Sequence, residues 1–206
     1  DFNILNELNN NYIELNVVDL KFQGELKYKP IKELEFSVLG AMKYSSISNE
    51  HFITEHSNQA NAYRAMGNAI IRDHNDKLYT DPDDPYSLPI SVLPEGGFYN
   101  RKDYKTKGFD VRASASWNRL WKDTHLTNLY AGMEVNAIDY NQSYFNGWGM
   151  QYAMGETPFY TYLFLKQMVE QGLNYFSLGN NHVRSAAFFM NANYAYKERY
   201  SLNGTI

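Results

Sequence analysis

The sequence contains no cysteine. That excludes a disulfide scaffold, a zinc site built on thiolates and a thiol nucleophile. Long apolar runs are missing too: no stretch of about 18 apolar residues occurs, so no helix is expected to cross a bilayer. Positive charge is not in excess. The 19 Lys and Arg stand against 23 Asp and Glu, a formal net charge of −4, and the pI is about 5.7. A basic footprint for nucleic acid is therefore lacking. The opening residues, Asp1-Phe2-Asn3-Ile4-Leu5, carry neither the basic nor the apolar region of a signal peptide. The sequence reads either as a mature start or as an internal piece. No GxSxG elbow, HExxH pair or Lys-Ser/Thr phosphate loop occurs. No enzyme activity and no cofactor are expected.

What is present is aromatic and amide-rich. Eighteen Tyr, 12 Phe and 3 Trp accompany 23 Asn in 206 residues. Tyr favours strands and Asn favours turns, so the composition points to β-structure. Period-2 alternation supports this. From Val18, the residues Val18, Leu20, Phe22, Gly24, Leu26 and Tyr28 alternate with Asp19, Lys21, Gln23, Glu25 and Lys27. After Pro30 the pattern restarts with Leu34, Phe36, Val38, Gly40, Met42 and Tyr44. A second hairpin sets Phe109, Val111, Ala113, Ala115 and Trp117 before Leu129, Ala131, Met133, Val135 and Ala137. A third joins Phe188, Met190, Ala192, Tyr194 and Tyr196 to Tyr200, Leu202, Gly204 and Ile206 through Lys197-Glu198-Arg199.

The expected fold class is all-β: about six long strands in three antiparallel hairpins. The turns fall near residues 30, 121 and 198, and the long connections run from Ser46 to Tyr99 and from Asn141 to Asn181. Soluble strands average 5–6 residues, whereas a membrane-spanning strand takes about 9–11. Long strands, short turns at one end and long loops at the other describe a transmembrane barrel. Aromatics beside the short turns (Tyr28, Trp117, Trp121, Tyr194, Tyr196, Tyr200) would form its interfacial girdle. The same alternation also fits a soluble β-sandwich, such as a carbohydrate-binding module. Six strands are too few to close a membrane barrel, which takes about eight. The chain is therefore expected to be a segment of a larger polypeptide.

The long connections carry the candidate contacts. Helical spacing marks Ser57–Asp73 and Phe159–Gln171, with Gly172 as a stop. These helices either pack over a barrel mouth or dock a partner. Exposed rings suited to stacking on a sugar or peptide are Tyr63, Tyr79, Tyr86, Tyr99, Tyr144, Trp148 and Tyr152, each with packing inside the loops as its competing role. Asp81, Asp83 and Asp84 concentrate carboxylates of the kind calcium takes, but the two flanking prolines read as a rigid turn and the spacing is not that of an EF-hand. The five histidines show no metal-ligand spacing, and no metal is expected.

Several stretches resemble the barrel of TonB-linked (TonB-dependent) outer-membrane transporters of the SusC/RagA type of Bacteroidetes. They are Asp1–Ile13, Ile53–Met66, Leu78–Pro85, Leu93–Arg101, Phe145–Gln171 and Ala187–Thr205. The resemblance implies one TonB-dependent-receptor barrel segment over residues 1–206, part of a plugged barrel of about 22 strands. It implies a bacterial outer-membrane location among lipid. It also implies a SusD-like lipoprotein at the extracellular face, and import of a glycan or oligopeptide energised through TonB. Neither a plug domain nor a TonB box is recognisable in the sequence. On this scheme Lys21, Glu25, Arg112, Glu134 and Asn191 face the lumen, and the segment supplies wall and extracellular loops.

Overall fold

The computed structural model of the chain describes residues 3–197 and 199–206. Asp1 and Phe2, which open the first resembling stretch, and Glu198, in the third turn, lie outside the described residues. The elements in chain order are α1 (Ile4–Asn10), β1 (Asn11–Ile31), β2 (Leu34–Ile53), α2 (Asn58–Arg64), α3 (Ala69–His74), β3 (Gly97–Trp121), β4 (His125–Gln151), β5 (Thr157–Pro158), α4 (Tyr162–Glu170), β6 (Phe176–Tyr196) and β7 (Tyr200–Thr205). They form one predominantly antiparallel sheet in the order β1-β2-β3-β4-β6-β7, with β5 pairing β4. The sheet is not closed, as befits part of a barrel. A sandwich requires two sheets, and the described residues form one. No helix among the described residues is long and apolar enough to cross a membrane, which says nothing of crossing by strands.

The all-β expectation holds, and the hairpins turn where Pro30, Trp121 and Lys197 mark them. The strands are longer than their alternation suggests. β3 has 25 residues and β4 has 27. The connections shrink accordingly, to residues 54–96 and 152–175. The added strand ends, such as Ser46–Ile53, carry Ile, Asn and His on one parity and Ser, Glu and Phe on the other. Neither set is uniformly apolar, so the period-2 signal fades while the pairing continues. The helix expected in Ser57–Asp73 is two helices, divided at Gly67 and restarted by the N-cap Asn68, whose side chain accepts from Ile71 N. α4 follows its expected segment: Thr161 caps it by accepting from Phe164 N, and Gly172 (φ +64°) ends it.

The chain divides into two units. A loop-bearing unit comprises Asp1–Val17, Ile47–Tyr104 and Gln142–Gly179, and a strand unit comprises Val18–Ser46, Lys105–Asn141 and Asn180–Ile206. The loop-bearing unit contains every buried hydrophobic residue among those described. One cluster joins Ile53, Ala60, Leu93 and Phe98; the other joins Tyr79, Val92, Phe164 and Met168. Tyr63 and Trp148 pack against both. Arg64 secures the loops by donating to the carbonyls of Leu93 (3.1 Å), Glu55 (3.0 Å) and Gly96. Gly149 (φ +81°) lies where a Cβ would meet the carbonyl oxygen of Phe159, so only glycine fits that crossing.

The strand unit has no such core. Its two faces differ instead. On one, charges pair across strands, Lys43 with Asp19 (4.0 Å), Lys29 with Glu35 (2.7 Å) and Arg112 with Glu134, and Asn136 donates to Asp110. On the other, large apolar side chains stand exposed, among them Phe22, Leu26, Val38, Phe109, Met133 and Phe188. The short turns are tied together within this unit. Asn118 N donates to Glu33 O (2.8 Å) and Lys197 N to Thr124 O (2.7 Å). Rings gather beside them: Trp117 meets Trp121, and His125 meets both Tyr194 and Tyr196.

Candidate functional site

Four neighbouring strands of the loop-bearing unit line a cavity of about 230 Å³. β1 supplies Ile13, β2 supplies Asn49 and His51, β3 supplies Asn100 and Lys102, and β4 supplies Tyr144. Residues two apart on a strand share a face. The i, i+2 pairs Asn49/His51 and Asn100/Lys102 therefore project together. His51 Nε2 bonds Asn11 Oδ1 at 2.6 Å, which orients the ring. Lys102 Nζ lies 5.5 Å from the Tyr144 ring centre, within cation–π range. Asn100 Oδ1 is buried and has no hydrogen-bond partner. A buried acceptor without a partner is costly, and a ligand donor placed in the cavity would relieve it. The lining offers an amide pair, an imidazole, an ammonium and an aromatic face. That set suits a sugar ring or a short piece of peptide.

A second cavity of about 420 Å³ lies beside Glu55, Arg64, Glu95 and Met154. Two of its charged groups, Arg64 and Glu55, are already committed. The Arg64 guanidinium holds three carbonyls, and Glu55 accepts from Tyr152 N (3.2 Å) and Ala153 N (2.8 Å). Burial alone would raise the Glu55 carboxyl; the backbone donors outweigh it and hold the group below its ordinary value.

The loop aromatics are distributed unevenly. Tyr144 lines the smaller cavity. Tyr86 stands 97% exposed. Tyr79 is buried and donates from its hydroxyl to Glu170 (3.2 Å); burial and that bond push the phenol above its ordinary value. Tyr63 and Trp148 stack edge-on at 5.1 Å, and both meet Phe98. Tyr99 donates to Glu50, and Tyr152 to Phe98 O at 2.7 Å. Tyr99 and Tyr152 also belong to a row of rings: Tyr12 stacks on Phe52, and Phe52 meets both of them.

The acidic turn holds an ammonium. Lys166 Nζ, from α4, bonds Asp81 Oδ1 at 2.6 Å and Asp83 Oδ2 at 2.7 Å. Lys166 and the Asp83 backbone N–H hold the Asp81 carboxyl below its ordinary value, and the two carboxylates hold Lys166 above its own. Asp84 caps the turn by accepting from Ser87 through its carbonyl. Among the described residues, no group of three His, Cys, Asp or Glu is arranged to hold a metal.

The residues expected to face a lumen lie in the strand unit. Arg112 donates to Glu134 at 2.5 and 2.9 Å. Glu25 accepts from Ser37 (2.9 Å), and Asn191 donates to Thr205 (3.1 Å). Lys21 is exposed. The cavity residues Asn49, His51, Asn100 and Lys102 were not singled out as ligand contacts from sequence. Their signal was the i, i+2 polar spacing in Asn49–His51 and Asn100–Lys102, legible only once β2 and β3 are known to run that far.

No protein-family model and no curated protein matches the chain. Among solved structures, that of the RagAB peptide transporter is similar, with a TM-score of 0.62 at 10% sequence identity. The alignment covers 96% of this chain and 18% of that one. Nearly all of the present chain thus shares its fold with a small part of a transporter chain.

Proposed function

We propose that the chain is the wall and loop segment of a TonB-linked outer-membrane importer of the SusC/RagA type. The observation that carries the proposal is the two-sided strand unit. Its six strand stretches have no core, expose apolar side chains on one face and pair their charges on the other. Water makes an exposed apolar face of this extent unfavourable, because apolar surface transferred out of water is stabilised by about 25 cal/mol per Å². A bilayer removes that penalty. The stretch from Val18 to Tyr28 has the length of a membrane-spanning strand.

In this scheme the long strands cross the membrane, with the short turns on the periplasmic side and the long loops on the cell exterior. Lys21, Glu25, Arg112, Glu134 and Asn191 line the water path or bond a plug supplied by the rest of the polypeptide. The cavity at Asn100, Lys102 and Tyr144 contacts the substrate, a glycan or oligopeptide. Tyr86 and its neighbouring loops meet a SusD-like lipoprotein. The segment binds and guides; it catalyses nothing. The likeness to part of a peptide transporter supports the oligopeptide choice.

The test is uptake of labelled oligopeptides and glycans by cells carrying the full-length protein. Uptake should stop when the proton gradient is collapsed and should fall in Asn100→Leu and Lys102→Leu. Uptake indifferent to the gradient rejects TonB energisation. Uptake unchanged in both variants rejects the cavity as a contact.

A further inference from the structure

The strand unit has a basic margin on its apolar face, at the end away from the short turns. A Cβ at Gly108 would lie 3.7 Å from Lys43 Cβ, which puts that position on the charge-paired face. Asp110 and Arg112 follow it there, bonded to Asn136 and Glu134. Strand alternation therefore sends Lys107, Phe109 and Val111 to the apolar face, with Lys105 next in line. On β4 the same alternation carries Met133, Val135 and Ala137 to that face and then reaches Asp139. There Asp139 accepts from His182 Nδ1 (2.7 Å) and from Arg184 of β6. Arg184 also donates to Ile138 O at 2.9 Å. The register that sets Arg112 against Glu134 and Asp110 against Asn136 sets Lys107 against Asp139.

The margin thus holds three cations, Lys105, Lys107 and Arg184, against the carboxylate of Asp139; Asp103, next on the same parity of β3, is already paired with Arg101 at 2.9 Å. Lys105 and Lys107 are exposed and make no ion pair among the described residues. On the charge-paired face, Lys27, Lys29, Lys43 and Arg112 have carboxylate partners. Directly beyond the margin the face turns apolar at Phe109 and Val111, each about half exposed. Long basic side chains lay their stems on such a surface and hold the charge at its edge.

We propose that Lys105, Lys107 and Arg184 form a binding site for the phosphate group of an anionic membrane lipid, whose chains lie on Phe109, Val111 and Met133. Asp139 does not oppose this: it holds Arg184 and His182 in place and is outnumbered. The proposal rests on the membrane reading above and adds a specific lipid contact to it.

The test is native mass spectrometry of the full-length protein in detergent, with added phosphatidylglycerol or phosphatidylcholine. The wild type should retain phosphatidylglycerol in preference to phosphatidylcholine. The double variant K105Q/K107Q should retain it roughly thirty-fold more weakly, as expected for two lost lysine–headgroup attractions. Lys43→Gln, on the other face, should retain it like the wild type. Inorganic phosphate added in excess should not displace the lipid; displacement would mean that the site takes phosphate and not a lipid. Equal retention by K105Q/K107Q, or equal retention of both lipids, overturns the proposal. A full-length protein that stays soluble without detergent overturns the membrane reading itself, and the two failures are distinct.

Discussion

The two units solve the same problem in opposite ways. The loop-bearing unit buries Ile53, Leu93, Phe98, Phe164 and Met168 in its own interior and caps its helices with Asn3, Ser57, Asn68 and Thr161. The strand unit buries no hydrophobic residue among those described and leaves large apolar side chains exposed. The same long strands run through both. A single β-architecture thus covers its apolar side chains in one unit and leaves them exposed in the other. The difference lies in whether one parity of each strand is uniformly apolar and whether loops cover it.

Four changes test the contrast, from the largest effect to the smallest. Phe98→Ala removes a ring from the centre of the loop core, 3% exposed, and should cost about 3–5 kcal/mol. Limited proteolysis should then cut the loops while the barrel remains heat-modifiable on a gel. Met133→Arg places a charge on the apolar face and should cost about 2–4 kcal/mol if that face meets the bilayer midplane. Ser114→Arg, on the charge-paired face, should be much milder. Equal assembly of the two arginine variants would contradict the face assignment. Ser57→Ala removes the cap that accepts from Ala60 N at 3.0 Å and should cost about 1 kcal/mol, read as faster hydrogen exchange in α2.

The smallest effect is a pH response confined to the loop-bearing unit. Asp81 is held below its ordinary value of 3.8 by Lys166 and the Asp83 N–H. The tie therefore stabilises α4 above pH 3.8 and is lost as pH falls through the lowered value. Lys166 is held above its ordinary 10.5, so the tie is complete below that pH and fails only as pH rises through the raised value. Hydrogen exchange in α4 should quicken in acid for the wild type, and Lys166→Met should show no such acid step.

The strand unit was legible in the sequence because its chemistry is strictly two-sided. Phe109-Asp110-Val111-Arg112 can be read as a strand without a structure. The loop-bearing ends of the same strands were not legible. In Ser48-Asn49-Glu50-His51-Phe52 both parities carry polar groups, because one face pairs with Arg101 and Asp103 and the other lines a polar cavity. The cavity was hidden for the same reason. The loop rings were visible as a group, but sequence does not distinguish Tyr79, packed in a core, from Tyr86, which is exposed. That distinction depends on Val92, Phe164 and Met168 arriving from distant segments.

The central claim is that the apolar face of the strand unit meets lipid. Because the chain has no cysteine, an introduced cysteine adds a single thiol to it. Ala113→Cys, Met133→Cys, Ser114→Cys and Glu134→Cys, each spin-labelled in the full-length protein in bilayers, should fall into two classes. Labels at 113 and 133 should relax with oxygen, which partitions into lipid, and labels at 114 and 134 with a water-soluble nickel chelate. Labels at 113 and 133 that respond to the nickel chelate as strongly as those at 114 and 134 would contradict the account.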